Sequence, residues 1–147
     1  MQAYHFFSPL LAPNQAWAAF DWQAFPATSA DPASVTATTD ACTPLARQHP
    51  LLLSCAPEWL ENTAFREFIK KLGRDQAILA FPQNIATIKE KETACKALRQ
   101  DGAHVALRIV ENGIPKTLTT TSFDYLCLDL EHARNGIPLL DLINANQ

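Results

Sequence analysis

Residues 51–81 read LLLSCAPEWLENTAFREFIKKLGRDQAILAF, and the order of apolar and breaking residues in this stretch decides the fold class. Leu51-Leu52-Leu53-Ser54-Cys55 is a short apolar run, of the length expected for a strand buried on both faces. Pro57 suits the first turn of a helix. Behind it Leu60, Ala64, Phe68 and Leu72 recur at spacing four, Phe65 and Ile69 widen the apolar face, and Gly73 stands where a left-handed C-terminal residue belongs. Ala77-Ile78-Leu79-Ala80-Phe81 then reads as a second buried strand. Strand, helix and strand in about thirty residues make a βαβ unit, and such a crossover joins parallel neighbours.

The same grammar continues towards the C-terminus. Residues 85–100 predict a charged helix whose apolar face runs through Ile85, Ile88, Cys95 and Leu98 before Gly102 stops it. Val105 to Val110 predicts a third strand, followed by Glu111-Asn112-Gly113 and a short segment, Ile114 to Ser122. Tyr125 to Leu130 predicts a fourth strand, and Ile137 to Ile143 a final helix. Towards the N-terminus, the apolar segments Tyr4 to Leu11 and Trp17 to Trp22 flank a Pro13-Asn14 turn signal and predict two strands. Pro26 to Thr39 reads as a loop feeding a weak helix up to Gln48. Strands alternating with helices place the chain in the α/β class, with a mostly parallel sheet.

Composition narrows the function classes. The 147 residues are the size of one domain, and 48% hydrophobic against 18% charged residues excludes a disordered or fibrous chain. A net charge of −3, with no basic cluster denser than Lys89, Lys91 and Lys96, gives no footprint for nucleic acid. The first twenty residues lack a positive n-region and are broken by Pro9, Pro13 and Asn14, so they do not read as a signal peptide, and no apolar run approaches a membrane span. The expected location is the cytoplasm. Cys42, Cys55, Cys95 and Cys127 form no CxxC pair, and His5, His49, His104 and His132 form no ligand pair with them, which favours buried free thiols over a zinc site. Glycine-rich phosphate loops, nucleophile elbows and HExxH patterns do not occur.

Read in order, the segments resemble the EAL family of cyclic di-GMP phosphodiesterases, especially the divergent versions fused to HDOD domains. FSPLLAPNQAWAAFDWQAF (7–25) resembles the family's opening, in which a "QPI" strand, a turn and the strand carrying Glu-Ala-Leu follow one another, and Asp21-Trp22-Gln23 occupies the Glu-Ala-Leu place. LSCAPEWL (53–60) is similar to "INVSPELL", LAFPQ (79–83) falls where "LEITE" would stand, CKALRQDGAHVAL (95–107) is similar to "LRRLKARGYRIALDDFG", and FDYLCLDL (123–130) to "ADIVKIDL". The likeness covers nearly the whole chain and implies an incomplete, about five-stranded EAL/TIM-like barrel.

The resemblance also implies where the chemistry would lie. Such enzymes hold divalent metals with carboxylates at strand C-terminal ends, and the metals activate a water. Carried over residue by residue, the first metal Glu corresponds to Asp21, the Asn to Ser54, the strand-three Glu to Ala80 or Gln83, and the Asp-Asp pair to Arg108-Ile109; Asp129 alone keeps its type. Arg108 puts a positive charge where cations would sit. The family's strand-five Lys is Cys127, and the Arg after its motif is Phe25. Neither hydrolysis nor tight cyclic di-GMP binding is expected, and no cofactor is implied. Asp21 and Asp129 read either as a residual metal pair or as caps of turns and helices. His5 and His104 read either as general bases or as structural histidines. Trp59 is expected in the core, and Trp22 is expected to fill the pocket that substrate occupies in the enzymes.

An eight-stranded barrel needs about 250 residues, so the barrel is not expected to close as the family's does. The sequence thus reads as one degenerate EAL-like domain over residues 1–147, either an N-terminal part of a longer chain or a short form that assembles. An unclosed sheet exposes backbone groups at its edges, and these must be covered. The expectation is an inactive signalling or scaffold module that binds a protein partner or itself through that edge. The alternatives are a cyclic di-GMP-binding domain without catalysis and a metal-dependent phosphodiesterase with relocated ligands at Asp21, Glu111, Asp124 and Asp129.

Overall fold

The computed structural model describes residues 4–25, 32–37, 39–109 and 123–128. Six strands form one sheet in the order β1-β2-β3-β4-β5-β6: β1 Tyr4–Leu11, β2 Trp17–Phe25, β3 Leu51–Ser54, β4 Ala77–Pro82, β5 His104–Ile109 and β6 Tyr125–Leu128. β1 pairs antiparallel with β2 through a tight turn at 12–16, and every later pair is parallel. Five parallel strands and one antiparallel edge strand therefore make the mostly parallel sheet expected from the sequence. Val110 and the segments at 111–122, 129–130 and 137–143 lie outside the described residues.

Each parallel step is bridged by helix. Helices α1 (Pro32–Ala37) and α2 (Thr39–Ala46) connect β2 to β3, α3 (Thr63–Leu72) connects β3 to β4, and α4 (Lys89–Gln100) connects β4 to β5. All belong with one side of the sheet, because one alternating set of strand residues meets them. Phe20, Trp22, Leu51, Leu53, Leu79, Phe81, Val105, Leu107 and Ile109 share a core cluster with Phe65, Phe68, Ile69 and Leu72 of α3 and Cys95 and Leu98 of α4. The other set, Leu52, Ala80 and Ala106 with Ile78 and Cys127 packed against them, lines the opposite, inner face.

Two helices begin later than the sequence pattern suggests. Pro57–Glu61 is a separate 3₁₀ turn that buries Trp59 and Leu60, and α3 starts afresh after Asn62, whose side chain accepts a 2.9 Å hydrogen bond from the Phe65 N–H. Asn62 is an N-cap, a signal that the periodicity of residues 57–72 conceals. The buried face of α3 is Phe65, Phe68, Ile69 and Leu72, while Ala64 faces solvent. Similarly, Gln83–Thr87 is a 3₁₀ turn that buries Ile85; Ile88 is left exposed as the N-terminal boundary of α4 rather than on its apolar face. Gly73 follows α3 with φ 99°, a backbone conformation that side chains resist.

Ion pairs tie the helical layer together. Arg66 donates from Nε (2.9 Å) and Nη2 (2.6 Å) to one oxygen of Asp101, the residue that ends α4. Lys91 reaches Glu61 at 2.7 Å and so joins α4 to the 3₁₀ turn before α3. At the far edge Asp124 accepts from the Val105 N–H at 2.8 Å through Oδ2 and from Arg99 at 2.7 Å through Oδ1, while its own N–H donates to the Val105 carbonyl at 2.7 Å. One carboxylate thus fixes where β6 begins against β5.

Two substitutions measure these terms separately. Phe65→Ala, at a fully buried site, is expected to cost about 3–5 kcal/mol in urea unfolding. Asn62→Ala removes the cap without touching the core and is expected to cost about 1 kcal/mol. Equal losses would contradict this division between core and cap.

Candidate functional site

In parallel α/β sheets ligands gather at the carboxyl ends of the strands, and the residues singled out there fall into two groups by face. Asp21 lies between Phe20 and Trp22, both in the helix-side core, so it projects onto the inner face. Ser54, Ala80 and Arg108 do likewise by the same alternation. Ser54 pairs in register with Ala80, Pro82 with Arg108, and Arg108 with Cys127. Ile109 goes the other way, into the helix-side core, and is lost to any site on the inner face. Gln83 opens the 3₁₀ turn directly after β4, with its amide oxygen buried. Asp129 and Glu111 lie outside the described residues.

Trp22 departs from its expected place. Its ring packs against Phe68 of α3 and Phe7 of β1, and its Nε1–H donates to His5 Nδ1 at 3.0 Å. It is a core residue of the helix side and fills no pocket on the inner face; strand alternation, applied to Asp21-Trp22-Gln23, carries that signal in the sequence. Trp59 is buried beside Phe65, as expected. His5 is the acceptor of that Trp22 bond. His104 stands between Asp75 (3.2 Å from Nε2) and Asp124 (3.8 Å from Nδ1), in a polar cleft of about 480 Å³ lined also by Arg74, Lys96 and Arg99. That cleft lies at the amino end of β5, remote from Arg108.

The sheet is curled. Burial raises the Cys127 thiol pKa, with Arg108 pulling it down and Asp21 pushing it up. Asp21 is on β2 and Cys127 on β6, four strands away, which in a flat sheet would be about 19 Å. Only curvature brings that carboxylate near the thiol. The inner face therefore gathers Asp21, Arg108 and Cys127 across a floor of small side chains, Ala80 and Ala106.

This donor set does not suit a divalent metal. Hard cations want several carboxylate or carbonyl oxygens, and among the described residues this face offers the Asp21 carboxylate together with the Arg108 guanidinium. Cys127 is held protonated by its raised pKa, which leaves it a poor ligand. Asp124, a member of the relocated ligand set, is already engaged by Arg99 and the Val105 N–H at the opposite end of the strands. Among the described residues, no group of three or more His, Cys, Asp or Glu side chains could hold a metal ion, and no helix is long and apolar enough to cross a membrane.

A six-stranded curled sheet, with an antiparallel first strand, parallel strands behind it and helices on one side, has counterparts among solved structures. The fold is an EAL-type half-barrel. The EAL enzyme Bd1971, in its cAMP- and cyclic-di-GMP-bound form, superposes with a TM-score of 0.69 at 9% identity, over 97% of this chain and 52% of that one. The EAL domain of Mycobacterium smegmatis DcpA gives 0.62 at 18% identity over 86% and 64%. The FimX EAL domain from Pseudomonas aeruginosa, bound to c-di-GMP, gives 0.52 at 13% identity over 97% and 74%. The chain spans about half to two thirds of the length of the first solved structures it matches. No protein-family model matches the sequence, and no curated protein does. At these identities the likeness establishes architecture alone.

The buried thiols give this region and the core beneath it a pH signature. Burial pushes Cys95 up to about 11 and Cys55 well above the ordinary thiol range, the latter partly offset by Arg108. In the unfolded chain thiols ionise near 8.5. Above that pH the unfolded state binds fewer protons than the native state, so stability falls as pH rises, by at most about 1.4 kcal/mol per pH unit per thiol. Below it this contribution is fully present. Urea midpoints measured from pH 7 to 10 should therefore decline above about pH 8.5, and Cys95→Ala should flatten the decline. An unchanged slope in that variant would show that the thiol does not carry the effect.

Proposed function

We propose that this chain is a catalytically inactive EAL-like module, of the kind fused to HDOD domains, that acts by binding a protein partner or a second copy of itself. The observation that carries the reading is Arg108, a cation on the inner face at the place where the resemblance calls for metal-binding carboxylates. With Ser54 and Ala80 replacing oxygen ligands and Ile109 turned into the core, the means of activating a water are missing from the corresponding positions. Among the described residues β1 ends the sheet, and that edge supports the interaction reading. Along that strand Tyr4, Phe6, Phe7, Leu10 and Leu11 are exposed, together with Trp17 on β2; an apolar edge strand invites pairing.

Cyclic di-GMP titrated into the purified chain by calorimetry, with and without magnesium, is expected to give no heat of binding and no linear product. Sedimentation at rising concentration is expected to show self-association, or a stable complex once a partner is supplied. Magnesium-dependent product that disappears in Asp129→Ala would overturn inactivity. Micromolar binding without product would make the domain a nucleotide sensor instead.

A further inference from the structure

Among the described residues β1 ends the sheet, and the hydrogen bonding of its neighbour fixes which of its backbone groups point away. The Phe20 N–H donates to the Pro50 carbonyl at 2.9 Å, so Phe20, and by alternation Trp22, turn their backbone groups towards β3. Ala19, Asp21 and Gln23 therefore turn theirs towards β1, where the register sets them against Leu10, Ser8 and Phe6. His5, Phe7 and Pro9 are left with their backbone groups on the outer edge. Pro9 has no N–H to present there, a placement that edge strands tolerate. Its carbonyl is an outward acceptor with no donor beside it.

Side chains divide by the same parity. His5 and Phe7 pack on Trp22, on the helix side. Tyr4, Phe6, Ser8 and Leu10 lie on the opposite side, and Tyr4 and Phe6 are 55% and 56% exposed. YHFFSPLL contains no Asp, Glu, Lys or Arg, so the strand lacks the charges that commonly blunt an edge. A charged strand docked here would lose water against the aromatic row and find no opposite charge. The occupant that suits this edge is uncharged and brings its own outward donors and acceptors, and a second β1 has both properties. Two copies, each of net charge −3, meet at this strand without setting like charges against each other.

We propose that two copies of this chain pair β1 with β1, antiparallel, about a two-fold axis at Phe6, joining their sheets edge to edge. The inference rests on the interaction reading above and narrows it to one occupant and one register. With Phe6 on the axis, His5 of each copy lies opposite Phe7 of the other. Both residues have outward N–H and C=O groups, so each such pair exchanges both of its backbone hydrogen bonds. Moving the axis to Phe7 or Ser8 sets Pro9 against His5 or Phe7 and leaves a carbonyl unpaired. In the Phe6 register the two Phe6 rings face one another as a closely spaced pair without hydrogen bonds, and Tyr4 of each copy lies over Ser8 of the other.

The test is sedimentation equilibrium of the whole chain over rising concentration, where a reversible monomer–dimer equilibrium is expected. Phe6→Glu and Phe6→Lys each set like charges opposite at the axis and should weaken association at least about tenfold. An equimolar mixture of the two should associate again, because opposite charges then meet across the axis. Phe6 is exposed, so the urea midpoint of each variant should match the parent's at dilutions where both are monomeric. Oxidised glutathione reads the register: Phe6→Cys should give a covalent dimer, while Ser8→Cys and the parent should not. The proposal is overturned if the parent stays monomeric, if the mixture associates no better than either variant alone, or if Ser8→Cys links and Phe6→Cys does not. A monomer that a supplied protein binds, and that Phe6→Glu releases, would give the edge to that protein instead. The inactive-module reading is judged apart from this, since hydrolysis of cyclic di-GMP would sink that reading and leave the dimer standing.

Discussion

The structure depends on the two-residue period of its strands. A strand sends alternate side chains to opposite faces, so once β2 to β6 pair in parallel, one set must meet the helices and the other must meet itself across the curl. Phe20 and Trp22, Leu51 and Leu53, Leu79 and Phe81, and Val105, Leu107 and Ile109 make the first set. They are large and branched or aromatic, and they accept the ridge of Phe65, Phe68, Ile69 and Leu72 from α3. The second set, Leu52, Ala80 and Ala106 with Ile78 and Cys127 packed against them, contains no aromatic side chain and is less bulky. The less bulky set lies on the inside of the curl, with Ala80 and Ala106 side by side on adjacent strands. A one-residue slip in any strand would exchange the two sets and force Phe81 or Leu107 into a space made for a methyl group.

The same period sorts the polar residues. Asp21, Ser54 and Arg108 come to the inner face because they alternate with core residues, and Ile109 is excluded for the same reason. Arg108 and Ile109, adjacent in sequence, are thereby divided between two environments. The inner face keeps charge without the acidic surplus that a divalent metal needs, and its one thiol is kept protonated by burial.

Much of this architecture was legible in the sequence. LLLSCAPEWL and AILAF marked their strands because short apolar runs between turn residues have few other interpretations, and the β1–β2 hairpin followed from a Pro-Asn turn between two apolar segments. Helix starts were less legible. Pro57 and Ile85 look like helix openings, but each belongs to a 3₁₀ turn, and Asn62, the cap that launches α3, is inconspicuous inside a continuous apolar pattern. Trp22 was misjudged because a bulky residue in a motif position draws attention to the site, while its parity along the strand assigns it to the core. The curl was legible only through the family resemblance, which implies an incomplete barrel: the proximity of Asp21 to Cys127 spans four strands, and no local pattern encodes it. Nor was the role of Asp124, whose acidic side chain suggests a ligand until Arg99 and the Val105 amide are seen to use it.

That Asp124 clamp has a consequence for how the molecule comes apart. It couples the end of α4, the beginning of β5 and the beginning of β6 through one carboxylate, so these three elements share a common opening event and cannot fray one at a time. Among the described residues the β1–β2 hairpin has no comparable clamp, and beyond Trp22 its strands pair with each other alone. Cooperativity is therefore distributed unevenly along the sheet. Phe20 and Trp22 hold β2 in the core, so the outer strand β1, which carries most of the exposed aromatic residues, is the margin with the fewest ties to the α4–β5–β6 block.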